Sequence, residues 1–186
     1  WIGELAQMLH DGGADYLTFE EKWKVPLNKW TFETHVVNAA MAVKGASAGA
    51  ELRGLKNDAI PEKIWRTLMK YNGMAAGIFT GDECLSGLSP VQGCELCAVV
   101  ELMFSMETLG QVFGKTAWFD RLEKVAFNAF PATISEDMWS HQYVQLSNQI
   151  ACERFWSNPP FRTNGKEANI FGLEPNFGCC TANFNQ

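Results

Sequence analysis

ELCAVVELMFSMETLGQVF, Glu95 to Phe113, is the stretch that decides the fold class of this chain. It predicts a helix of about five turns, close to 30 Å long, ended by Gly114, since glycine commonly follows a helix C-terminus. Immediately after it, Thr116 to Ala129 sets Trp118, Leu122, Val125 and Ala126 on one face and predicts a second helix. Upstream, Asp58 and Pro61 mark a helix start, with Ile64, Leu68 and Tyr71 as its apolar stripe. Thr31 to Ala48 carries Phe32, Val36, Ala39, Ala40 and Val43 on one side, which suits a small-residue helix packed closely on another. Trp1 to His10 has helical spacing and meets a stop at Asp11-Gly12-Gly13. Between the helices, Thr80 to Gly93 and Ser157 to Gly178 read as irregular, and Tyr143 to Gln149 as extended. Successive helices with short connections and few strands predict an all-α array of antiparallel hairpins.

The 186 residues suffice for one domain with a real core, and 47% hydrophobic content argues against disorder. A net charge of −6 without a basic run argues against a nucleic-acid partner. No uninterrupted apolar run reaches the roughly 18–20 residues that span a bilayer, so no membrane partner is expected. Seven Trp and thirteen Phe suit a large core, and equally suit stacking on the apolar C–H faces of sugars. Trp1 to His10 lacks the basic region and cleavage site of a signal peptide, and the chain does not begin with Met. Both ends are expected to be cut from a longer protein, which leaves localisation and oligomeric state unknown.

Six cysteines stand at 84, 94, 97, 152, 179 and 180. Three readings are open. They are buried or free thiols without a role; they form a disulfide framework, which a chain with so large a core does not need; or Glu95, Cys97, Cys179 and Cys180 make a metal site. Glu95 and Cys97 diverge on a regular helix, but at a helix start the chain is still extended and both can face one centre. Gly178 permits a sharp turn that aims the adjacent cysteines at one point. Zinc is the metal such sulfur-rich sets select, although E-x-C with a distant C-C is not a zinc-finger spacing.

Glu83 lies in TGDECLSG, Thr80 to Gly87, either as a solvated loop acid or as a carboxyl turned inward with a raised pKa, ready to donate a proton. Glu101 and Glu107 on the long helix read as an exposed or ion-paired face. His35 reads most simply as a core histidine with one hydrogen bond, and His141, between Trp139 and Tyr143, as a possible sugar-facing edge. Phosphate-loop, dinucleotide and nucleophile-elbow motifs are absent from the sequence.

Together GDECLSGLSPVQGCELCAVVE (Gly81 to Glu101), FGCCTANFNQ (Phe177 to Gln186) and THVVNAAMAVK (Thr34 to Lys44) resemble glycoside hydrolase family 127 and its relatives. LEKVAFNAFPA (Leu122 to Ala132) and DMWSHQYVQLSNQ (Asp137 to Gln149) fit the same pattern, so the resemblance covers nearly the whole chain. It implies that residues 1–186 are part of an (α/α)6 toroidal catalytic domain, lacking the other helices and the β-rich domains that follow. It implies Zn2+ held by Glu95, Cys97, Cys179 and Cys180, with Cys179 as nucleophile and Glu83 as general acid/base. His35 and Tyr143 match substrate-contacting positions, whereas Cys84, Cys94 and Cys152 match none.

The implied chemistry is double displacement on a β-L-arabinofuranoside, with an oligosaccharide or glycan as partner and retention of configuration. The fragment alone is expected to be inactive. Two competing readings keep the same cysteines. A non-catalytic, zinc-stabilised carbohydrate-binding domain would leave Glu83 pointing to solvent. A redox protein would use Cys179 and Cys180 without a metal.

Overall fold

In the computed structural model the described residues are 1–25, 30–45, 47–48, 50–55, 57–154, 165–172 and 178–183. Helices dominate: α1 (Ile2–Asp11), α2 (Glu20–Trp23), α3 (Val36–Gly45), α4 (Ala59–Asn72), α5 (Leu96–Phe113), α6 (Thr116–Asn128) and α7 (Gly178–Asn183). This bears out the all-α expectation and is consistent with part of a toroid. The irregular reading of Ser157 to Gly178 lies mostly outside the described residues, as do Phe177 and the last three residues of the motif that ends the chain.

The long helix forms as its pattern predicts, and Gly114 closes it in the left-handed region at φ 63°. It is the core helix. Leu102, Met106 and Leu109 are fully buried, each contributing about 1.5–3 kcal/mol. By length and hydropathy α5 would also suit a bilayer, although Glu101 and Glu107 interrupt its apolar run. Its packing against α3 on one side and α6 on the other accounts for that apolarity.

Small residues set both helix contacts. Ala39, Ala40, Ala42 and Val43 of α3 are buried, and Ser105 of α5 donates to the Ala40 carbonyl at 2.8 Å. Glu101 is buried and ion-paired with Lys44 of α3. On the other side, a Cβ on Gly110 would lie 2.5 Å from the Phe119 ring of α6, so only glycine allows this approach.

Two local expectations need correction. The α3 helix starts at Val36 rather than near Thr31, because His35 bridges Cys84 in β fashion and the Val36 N–H donates to the Glu83 carbonyl. Phe32 consequently falls in the preceding turn and is exposed. Asp58 stands at the α4 N-terminus, but its side chain makes no cap. Its carboxylate is taken by Lys115 and by the Trp118 indole N–H at 2.9 Å, and the Asn57 side chain accepts from the Ala59 N–H instead.

A small sheet lies at the N-terminal end of α5. Its strands β1 (Gly81–Asp82), β2 (Cys84–Leu85), β3 (Gly93–Glu95) and β4 (Val144–Leu146) run in the order β2-β1-β3-β4. The outer pairs are antiparallel, and β1 runs parallel to β3 with Gly81 opposite Cys94. The extended reading of Tyr143 to Gln149 is thus borne out over β4. Tight packing fixes the sheet on the helices: a Cβ on Gly81 would meet Val36 at 2.5 Å, and one on Gly93 would meet Val144 at 2.4 Å.

Candidate active site and metal centre

The sheet delivers three side chains to one place. Glu83 is the single residue between β1 and β2, and it holds φ 66° without being glycine. That conformation costs roughly 1–2 kcal/mol and persists because both its backbone groups are pinned. Its N–H donates to Glu95 Oε2 at 3.0 Å, and its carbonyl accepts from Val36 N–H at 2.9 Å. Glu95 ends β3 in extended conformation just before α5 begins. Register then fixes Tyr143: Glu95 pairs with Val144, and the Leu96 N–H donates to the Tyr143 carbonyl at 2.9 Å.

The Tyr143 hydroxyl stands between the two carboxyl groups, 2.9 Å from Glu83 Oε1 and 2.8 Å from Glu95 Oε2. A phenol has one proton. Both contacts can be hydrogen bonds only when one of the carboxyls carries a proton and donates it to the phenolic oxygen. His35 closes the group, with Nε2 at 3.6 Å from Glu83 Oε2. Oxygen and nitrogen atoms of His35, Glu83 and Glu95 all lie within 4.8 Å of one another.

The two carboxyls differ in environment. Glu95 is 2% exposed, and burial pushes its pKa up to about 8 against the hydrogen bonds from Tyr143 and the Glu83 N–H. The Glu83 side chain is 38% exposed and reaches the surface. Burial, followed by the charge of Glu95, raises the Tyr143 pKa, so the phenol stays protonated.

A second group lies beside the first. The sulfurs of Cys97, Cys179 and Cys180 are mutually within 4.8 Å, with Cys97 and Cys180 at 3.4 Å. Cys97 sits in the first turn of α5 and the other two at the start of α7. Leu96, Val100, Tyr143, Val144 and Ala168 pack around Cys97 and Cys180, which are buried. Cys179 is exposed. Hydrogen bonds from the Cys180 and Cys97 thiols draw the Cys179 pKa down, and donation toward Cys179 pushes Cys97 up to about 12. Of the three sulfurs, the solvent-facing one is the one whose ionised form its neighbours favour. This cluster could bind a metal.

The residues singled out in the sequence therefore fall into two adjoining sets. Three of the four expected ligands converge as sulfurs, while the carboxyl of Glu95 groups with His35 and Glu83. His35 is not an isolated core histidine, since it faces Glu83 and packs near Trp30, with ring centroids 5.9 Å apart. His141 bridges Ile134 and Gly172 through its backbone, and its ring reaches Thr181 of α7 at 3.4 Å. All six cysteines are free thiols, which disfavours the disulfide framework. Trp30 went unremarked in the sequence because nothing in its spacing connects it to Glu83.

The family model for the Beta-L-arabinofuranosidase, GH127 catalytic domain matches residues 10–186. No curated protein and no solved structure matches the chain.

Proposed function

The chain belongs to the GH127 β-L-arabinofuranosidase catalytic-domain family, and from that premise we propose a retaining enzyme that releases L-arabinofuranose with Cys179 as nucleophile and Glu83 as acid/base. Membership makes it a glycoside hydrolase with a glycan substrate. The remaining assignments are our reading of the site, and residues 1–186 are read as part of an (α/α)6 catalytic domain. One observation carries them: a three-sulfur group with one exposed cysteine packs against the tyrosine whose phenol a carboxyl pair shares.

The donor set suits zinc. Sulfurs held about 2.3 Å from a tetrahedral ion stand roughly 3.8 Å apart, close to the spacing of these three. Cys97, Cys179 and Cys180 would hold the ion, and Glu95, two residues before Cys97, would supply the oxygen donor. Bound zinc keeps its thiolate ligands deprotonated at neutral pH.

The protein's own groups then divide the work. Were Glu95 held ionised as the oxygen donor to the ion, Tyr143 would donate to it, and the remaining contact of the phenol would place the shared proton on the Glu83 side. Glu83 would then hold the proton for its first task, protonating the glycosidic oxygen as the bond to the leaving group breaks. The Cys179 sulfur attacks the anomeric carbon from the opposite face and forms a thioglycosyl bond. Glu83, now ionised, takes a proton from water as that water displaces the sulfur, and the sugar leaves with its original configuration. His35, beside Glu83, is placed to hold a sugar hydroxyl. The non-catalytic alternative expects Glu83 to point to solvent; engagement of its carboxyl by Tyr143 and His35 favours the enzyme.

The test uses the full-length protein. Metal analysis is expected to find about one zinc per chain, and NMR of p-nitrophenyl β-L-arabinofuranoside hydrolysis is expected to show the β-anomer formed first. First formation of the α-anomer would exclude a covalent nucleophile.

A further inference from the structure

The contacts through the site run in a definite order. Trp30 neighbours His35, with the two rings tilted by 53°. His35 faces Glu83, Tyr143 joins Glu83 to Glu95, and Glu95 stands two residues before Cys97 of the sulfur group. From Glu83 the contacts lead through His35 to Trp30 in one direction and through Tyr143 to the sulfur group in the other. In double displacement the acid and the leaving group share one side of the anomeric carbon, and the nucleophile approaches from the other. A side chain beyond the acid meets the leaving group rather than the sugar under attack.

The Trp30 indole is 53% exposed. Its tilt against the imidazole means that His35 does not lie flat on its face. An aromatic plane left open beside a proton donor matches the apolar C–H face of a sugar or the ring of an aryl group. We propose that Trp30 is the wall of the leaving-group subsite and a determinant of specificity for carbohydrate or aryl leaving groups, stacking on the unit that Glu83 protonates. This inference rests on the retaining-glycosidase reading above.

The experiment compares kcat/KM for an L-arabinofuranosyl-β-L-arabinofuranoside disaccharide with kcat/KM for methyl β-L-arabinofuranoside, in full-length wild type, Trp30→Ala, Trp30→Leu and Trp30→Phe. The ratio of the two constants is the readout. Loss of a stacked ring is expected to lower it about fivefold in the Ala and Leu variants, with Phe restoring most of it. Leu keeps bulk without a flat face, so it serves should the Ala variant fold poorly. An unchanged ratio in both, or equal loss on both substrates, overturns the assignment while leaving the glycosidase reading intact. Failure of the zinc-loaded wild type to hydrolyse either substrate overturns that reading, and this inference with it.

Discussion

The two adjoining groups of the site are built on different principles. Glu83, Glu95 and Tyr143 are held by sheet register and by hydrogen bonds between 2.8 and 3.0 Å, and His35 by its bridge to Cys84, so their geometry is a property of the folded chain itself. Cys97 is fixed at the start of the core helix, but Cys179 and Cys180 are carried on six-residue α7, where the Cys180 sulfur meets that of Cys97 in a weak thiol contact at 3.4 Å. The oxygen group is preorganised by the protein, whereas the sulfur group has the donors for an ion to organise. That division lets each half fail separately, which makes the comparison testable.

The largest effect is expected at the sulfur end. Cys179→Ser in the full-length enzyme should lower turnover by about 10³-fold or more while circular dichroism shows the same helical content. Ordinary turnover would remove Cys179 from the nucleophile's role. Next comes the oxygen end. Glu83→Gln should lose about 10²–10⁴-fold on sugar leaving groups and much less on nitrophenyl ones, which depart without protonation. Equal losses on both would contradict the acid role.

The smallest effect sharpens the contrast without catalysis. In chelator-treated protein, burial is expected to hold the Glu95 pKa up at about 8 in the folded chain, against 4.5 as a free side chain. Below pH 4.5 the group is neutral in both states and costs nothing. Between 4.5 and 8 the unfolded chain ionises first, so stability should fall as pH rises, and the loss is complete above 8. The total is a few kcal/mol, at about 1.4 kcal/mol per pH unit. Denaturant titrations across this range should show the decline in wild type and a flatter profile in Glu95→Gln. The same slope in both would assign the effect to another group.

The sequence reveals the parts of this molecule that depend on neighbours along the chain. The long apolar run from Leu96, stopped by Gly114, needs nothing else to read as a core helix, and α6 follows the same logic. What distant residues decide was illegible. Asp58 looks like a cap until Lys115 and Trp118 arrive from another helix, and Thr31 to His35 looks helical until Cys84 pairs with His35. In the site, the chemistry-bearing residues stand out by type and by family resemblance. Their division into two groups does not, because it depends on the register of β3 with β4, which puts one phenol between two carboxyls. Trp30 was invisible because its nearness to His35, and through it to Glu83, leaves no mark in the spacing of the chain.

The left-handed backbone at Glu83 has a bearing on how this domain tolerates change. Glycine is the residue that conformation favours, so selection for thermal robustness alone would push position 83 toward glycine and remove the carboxyl that Tyr143 and His35 engage. A homologue that keeps an acid at this turn is being held there against its own folding preference. Stabilisation campaigns that rank substitutions by backbone fit should therefore freeze this position first.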